Sequence, residues 1–143
     1  MTHPPLCPEL THALRQSRRL RRFFDSFSES IRSYYIDYVS EVKKQATRRR
    51  RAEQVAEWFM ETMAADEDLP PLIATALARN EKARQAWDRL SSSTRREYLF
   101  FILRGVYPET REKTLTRIIG YLDGSGFERQ RREWAEFKRQ IEP

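Results

Sequence analysis

Laying Pro8 on Pro71 aligns the chain with itself without a gap as far as Met60 on Asp123, a shift of 63 residues. Identities along the match include Pro8/Pro71, Ala13/Ala76, Leu14/Leu77, Arg21/Arg84, Asp25/Asp88, Arg32/Arg95, Tyr35/Tyr98, Thr47/Thr110 and Arg48/Arg111. Between them apolar positions stay apolar, as at Leu10/Ile73, Phe24/Trp87, Ile36/Leu99, Val39/Ile102, Val55/Ile118 and Phe59/Leu122. A register kept over such a length restricts the chain to two copies of one folded unit.

The apolar spacing inside each copy is helical. Two short helices are expected over 8–16 and 18–27, with Ser17 as N-cap, and again over 71–79 and 81–90, with Asn80 in the cap position. A third helix follows from Ile31, Tyr34, Tyr35, Tyr38, Val39 and Val42, which fall at i, i+3, i+4, i+7, i+8 and i+11 on one stripe. Its copy is the unbroken run from Leu99 to Leu103, where the capping-box spacing of Thr94 and Glu97 argues for helix over strand. The fourth helix starts near Thr47 and Thr110, with Pro108 suited to a first turn. It turns Ala52, Val55, Ala56, Phe59 and Met63 inward, matched by Leu115, Ile118, Ile119 and Leu122.

The fold class is therefore all-α: a tail over 1–7, a four-helix module over 8–63, a linker over 64–70, a second module over 71–124, and a C-terminal amphipathic helix over 125–143. Asp66, Glu67 and Asp68 give the linker its acidic character, and Gly124, Ser125 and Gly126 break the chain before the last helix. That helix carries Phe127, Gln130, Trp134, Phe137 and Ile141 on one stripe, with Arg129, Arg131, Arg132, Lys138 and Arg139 off it. Two heptads are short for a coiled coil. Docking on the protein's own core in a monomer is expected, with dimerisation through this helix as the alternative.

Composition agrees with long solvated helices: 34% of residues are charged, and only 4 are glycine, too few for the turns that sheets require. A single cysteine, Cys7, excludes an intrachain disulfide framework and fits a reducing compartment. The start Met-Thr-His-Pro-Pro-Leu-Cys-Pro lacks the basic residues and apolar run of a signal peptide, and no stretch approaches the roughly 18 apolar residues of a membrane span. A cytoplasmic location is the resulting expectation.

Net charge is +6, which permits weak attraction to polyanions. Lys43, Lys44, Arg48, Arg49, Arg50 and Arg51 place six cations in nine residues with no acid among them. Such a run is either a solvated helix face or a basic patch centred on Lys43, Lys44, Arg49, Arg50 and Arg51. His3, Cys7 and His12 are the one trio of metal-ligating type, but their spacing matches no zinc site, and His12 has no partner to orient it as a base for Cys7. Neither a metal, a cofactor nor an enzymatic activity is expected.

Polar residues kept in both copies form the remaining candidates: Asp25/Asp88, Arg32/Arg95, Tyr35/Tyr98, Thr47/Thr110 and Arg48/Arg111. A charge-assisted Arg to Asp hydrogen bond tying the second helix of each module to its fourth, with Arg32 and Tyr35 adjacent at i, i+3, would explain them structurally. Alternatively they line a polar pocket that grips a carboxylate or phosphate through Arg and Thr.

The stretch 69–124 opens with Leu69-Pro70-Pro71, continues through Ala76-Leu77-Ala78, an aromatic before Leu90, and Ser91-Ser92-Ser93-Thr94-Arg95-Arg96-Glu97-Tyr98, and reaches Pro108-Glu109-Thr110-Arg111 before its closing helix. This ordered combination resembles the module of the YdeI/OmpD-associated family, also labelled bacteriocin-protection or OmdA-like. The first copy resembles a diverged second instance, keeping Ser28 to Arg32, Tyr35, and Glu41 to Arg48. The resemblance covers nearly all of the chain except its last helix, and the unrelated N-terminal domain that commonly precedes such modules is not expected here. It implies a small bacterial protein linked to envelope stress and tolerance of antimicrobial peptides, without enzymatic activity or cofactor. The expected function is thus a non-enzymatic interaction or stress-tolerance protein whose protein partner is unknown. The alternative is weak, non-specific binding of nucleic acid or another polyanion through the basic face of the first copy.

Overall fold

The computed structural model describes residues 6–126 together with residues 132, 135, 136, 139 and 140. Helix starts in both modules follow local chemistry. A proline at the first position, where no N–H is needed and φ is already helical, opens α1 (Pro8–Leu14) and α5 (Pro71–Ala78). Side-chain caps open the next two in each module. Ser17 Oγ accepts from the Arg19 and Leu20 amides at the start of α2 (Arg18–Asp25), and Asn80 Oδ1 from the Ala83 amide at α6 (Glu81–Arg89). Ser28 and Ser91 do the same for α3 (Glu29–Ser40) and α7 (Ser92–Leu103). The long helices α4 (Gln45–Glu67) and α8 (Pro108–Asp123) complete the modules. Among the described residues these are eight helices and no strand.

The chain divides into two units, 1–68 and 69–143. In the first, α4 is the spine against which α1, α2 and α3 all pack. Leu10, Leu14, Leu20, Phe24, Val39, Val55 and Phe59 are fully enclosed. Phe24 and Phe27 meet Phe59 edge to face, with centroids 5.0 and 4.9 Å apart, and Tyr35 joins them. In the second, α5, α6 and α7 pack on α8 around Ile73, Ala83, Trp87, Leu99, Phe100, Ile102, Leu115 and Ile118.

Several boundaries and faces differ from the expectation. The linker contracts to residues 68–70, because 64–67 form the last turn of α4. There Ala65 is buried, and Glu67, unfavourably placed at a helix C-terminus, pairs with Arg19 of α2. The cap of α7 is Ser91, which leaves Thr94 inside the first turn as the donor of the capped amide. On α3 the buried face is Tyr35, Ile36 and Val39, whereas Tyr34 is 62% exposed. The stripe admitted two adjacent sectors, and the one that includes Ile36 faces α4 and α1. On α4 Thr62 rather than Met63 is fully enclosed, its hydroxyl donating to Trp58 O at 2.7 Å. The stripe residues of the C-terminal segment, Phe127, Gln130, Trp134, Phe137 and Ile141, lie outside the described residues.

One substitution pair separates the modules. Where α4 meets α1 it presents Ala52 and Ala56, 1% and 0% exposed. The equivalent positions on α8 are Leu115 and Ile119. Small residues let two helix backbones approach closely, and bulkier ones hold them apart, leaving a concavity of 680 Å³ between α5 and α8.

Candidate functional site

Arg48 and Arg111 have the same task in each module. Arg48 Nη1 donates to Val42 O at 3.0 Å and Lys43 O at 2.7 Å, and Arg111 donates to Gly105 O through Nε at 2.8 Å and to Leu103 O through Nη2 at 2.9 Å. Val42 and Gly105 are equivalent under the repeat. The fourth helix thus supplies a cation to carbonyls of the turn just past the third, and in the second module also to Leu103 in that helix's last turn, near the negative end of its dipole.

This geometry overturns the Arg to Asp tie. Asp25 is exposed and pairs with Arg21 within α2, at 3.1 Å, and Asp88 is exposed on α6. The carboxylate that reaches Arg48 is Glu9 of α1, at 2.7 Å from Nε, with both side chains mostly buried. That hydrogen bond holds the Glu9 carboxyl below the usual carboxylate range. Self-comparison of the copies could not reveal Glu9, because its equivalent is Leu72. A tie between the second and fourth helices does exist in the second module, but it joins Asn80 to Asp123. Asn80 Nδ2 donates to Asp123 Oδ2 at 2.8 Å. Asp123 is held below its ordinary range chiefly by the Ser125 hydroxyl, with the Ser125 amide and Asn80 adding to it.

The other repeated residues do not assemble into one pocket. Arg32 Nε donates to Phe27 O at 2.9 Å and pins the α2–α3 turn. Its counterpart Arg95 has a buried Nε with no hydrogen-bond partner among the described residues. Tyr35 is buried in the aromatic cluster with Trp58 and Phe59, whereas Tyr98 is half-buried. Thr47 is half-buried in the first turn of α4, and Thr110 is exposed at the start of α8.

The basic run splits into two groups. Arg48 is committed as described, and Arg51 donates to Tyr38 O and to Glu41 while its guanidinium sits 4.5 Å above the Tyr38 ring. Lys43, Lys44, Arg49 and Arg50 are exposed at the α3–α4 turn and the first turns of α4. The equivalent turn in the second module presents exposed Val106 and Tyr107, and Glu112 replaces Arg49. Of the metal-type trio, His3 lies outside the described residues, Cys7 occupies the N-cap position of α1, and His12 is exposed.

A family model described as bacteriocin-protection, YdeI or OmpD-associated matches residues 5–61 and again 67–124. The chain belongs to this family. Each match spans one module, so the family unit corresponds to the four helices α1–α4 and again to α5–α8. No curated protein and no solved structure matches the chain. Within the described part of this OmdA-type tandem no helix is long and apolar enough to cross a membrane.

Proposed function

We propose that this tandem YdeI/OmpD-associated protein is a cytoplasmic, non-enzymatic interaction protein that contributes to tolerance of bacteriocins and antimicrobial peptides through its helical surface. The observation that carries this reading is the family match over both modules. It is supported by where the repeated arginines go: Arg32, Arg48 and Arg111 all donate to main-chain carbonyls, a role that stabilises the module. Survival of a host strain lacking the chain, challenged with a cationic antimicrobial peptide or a bacteriocin, tests the reading. Lower survival restored by re-expression is the expected result, and unchanged survival overturns it.

The exposure of Lys43, Lys44, Arg49 and Arg50 favours a second reading, a polyanion-binding face on the first module. Random duplex DNA should bind with a dissociation constant of about 1 µM or weaker at physiological salt, the level of non-specific contacts. Replacing Lys43, Lys44 and Arg49 by the second module's Val, Tyr and Glu should weaken binding and flatten its salt dependence, since fewer counterions are released. Unaltered binding in that variant would remove the first module from consideration.

A further inference from the structure

Beyond its acid-free start, α4 turns acidic on the face that meets α3. Arg50 and Arg51 line a concavity of 480 Å³ there, and Glu53 and Glu57 line it further along. The charges are sorted by sign: Lys43 and Lys44 precede the helix, Arg50 and Arg51 follow, and the two carboxylates come after them. At 1.5 Å per residue, Arg50 and Glu57 stand about 10 Å apart along the axis. Lys43, Lys44, Arg50, Glu53 and Glu57 are exposed and hold no hydrogen bond or ion pair among the described residues.

Tyrosines of α3 run beside this gradient. Tyr38 donates to Gln54 Oε1 at 2.9 Å and carries Arg51 above its ring, whereas Tyr35 meets Trp58, so the two helices are antiparallel. Tyr34, one turn before Tyr38 on the same face, therefore lies at the carboxylate end. Its ring is 62% exposed and is held by an edge-to-face contact with Tyr35 at 5.0 Å. The second module has Glu97, Thr116 and Gly120 at the positions of Tyr34, Glu53 and Glu57. This arrangement is thus dispensable for the fold.

Building on the polyanion reading of the first module, we propose that this face binds single-stranded nucleic acid. Phosphates meet Lys43, Lys44 and Arg50, one base stacks on Tyr34, and its amino group donates to Glu53 or Glu57. The carboxylates repel phosphate and so confine the backbone to the cationic end. They also accept from the exocyclic amines of cytosine, adenine and guanine, which thymine lacks. A duplex keeps its bases stacked on one another and gains nothing from Tyr34.

Fluorescence anisotropy of labelled oligodeoxycytidylate, oligothymidylate and random duplex DNA of equal length, titrated with the full chain at one low salt concentration, tests this. Oligodeoxycytidylate should bind tighter than the duplex and about fivefold or more tighter than oligothymidylate. Tyr34→Ala should weaken both single strands about fivefold or more and leave the duplex unchanged. Glu53→Gln with Glu57→Gln should erase the preference for cytosine over thymine. Equal binding of the three DNAs by the native chain, or single-strand binding undiminished in Tyr34→Ala, overturns the proposal. If that binding falls in Lys43→Ala with Lys44→Ala, the polyanion reading stands without it, and if no DNA binds, both fall.

Discussion

Truncating Arg111 should destabilise the second module, truncating Asp88 should not, and the two effects should add. Arg111 Nε and Nη2 reach Gly105 O and Leu103 O at 2.8 and 2.9 Å, from a half-buried position. A hydrogen bond involving a charged group contributes about 1.5–3 kcal/mol, and two of them twice that. Water replaces part of the loss at a half-buried site, and truncation returns up to about 2 kcal/mol of side-chain entropy. Arg111→Ala is therefore expected to cost about 2 kcal/mol, whereas exposed Asp88→Ala stays within about 0.5 kcal/mol of the native protein. A coupling energy below about 0.5 kcal/mol completes the expectation, since the two side chains share no partner in this account. Urea unfolding of the full chain followed by circular dichroism, with unchanged m-values, measures all three quantities. A coupling above about 1 kcal/mol would restore the Arg to Asp tie and refute the main-chain role assigned to Arg111.

Asn80→Ala should cost about 1–2 kcal/mol, more than Ser17→Ala, because Asn80 both caps α6 and donates to Asp123; equal losses in denaturant unfolding would argue against that tie. The Glu9 carboxyl has its pKa lowered from 4.5, so its pairing with Arg48 contributes stability above that pH and loses it as pH falls through the depressed value. The stability gap between the native protein and Arg48→Met should accordingly be constant above pH 4.5 and narrow below it, and a gap that stays constant down to acid unfolding would count against the pair. Ala56→Ile should destabilise the first module by about 1–3 kcal/mol, since it forces a branched side chain into the closed seam between α1 and α4; a thermal midpoint equal to that of the native protein would show that the seam is not close-packed.

The architecture was legible in the sequence because duplication doubles every weak local signal. Pro8 and Pro71, and Ser17 and Asn80, mark helix starts at equivalent positions, and all four do so in the structure. The candidate site was legible only in part. Side chains held in both copies point correctly to a shared task for Arg48 and Arg111, but an arginine donating to carbonyls leaves no partner residue to find in a sequence. The search for a retained acid then settled on Asp25 and Asp88, which lie on exposed helix faces. Glu9 and the bond from Asn80 to Asp123 escaped for the opposite reason: each tie forms in one module alone, and the comparison that revealed the fold discards such pairs.

The two copies differ most where helix packing and surface chemistry can change without touching the arginine clasp. At the α3–α4 turn the first module exposes Lys43 and Lys44, and at the matching turn the second exposes Val106 and Tyr107. At the seam between first and fourth helices, Ala52 and Ala56 become Leu115 and Ile119. A branched side chain inserted into a closed seam costs about 1–3 kcal/mol unless the helices separate, and separation leaves apolar surface that must be covered again. The second module shows the separated form, with an open groove between α5 and α8. Leu115 is taken into the core of the second module, and Ile119 is left half-buried on the wall of that groove. The first module thus retains the closed form and turns a cationic face outward, while the second keeps a groove open between its first and fourth helices. Placing leucine at Ala52 and isoleucine at Ala56 of the first module should therefore be destabilising, because the closed seam between α1 and α4 encloses both positions completely.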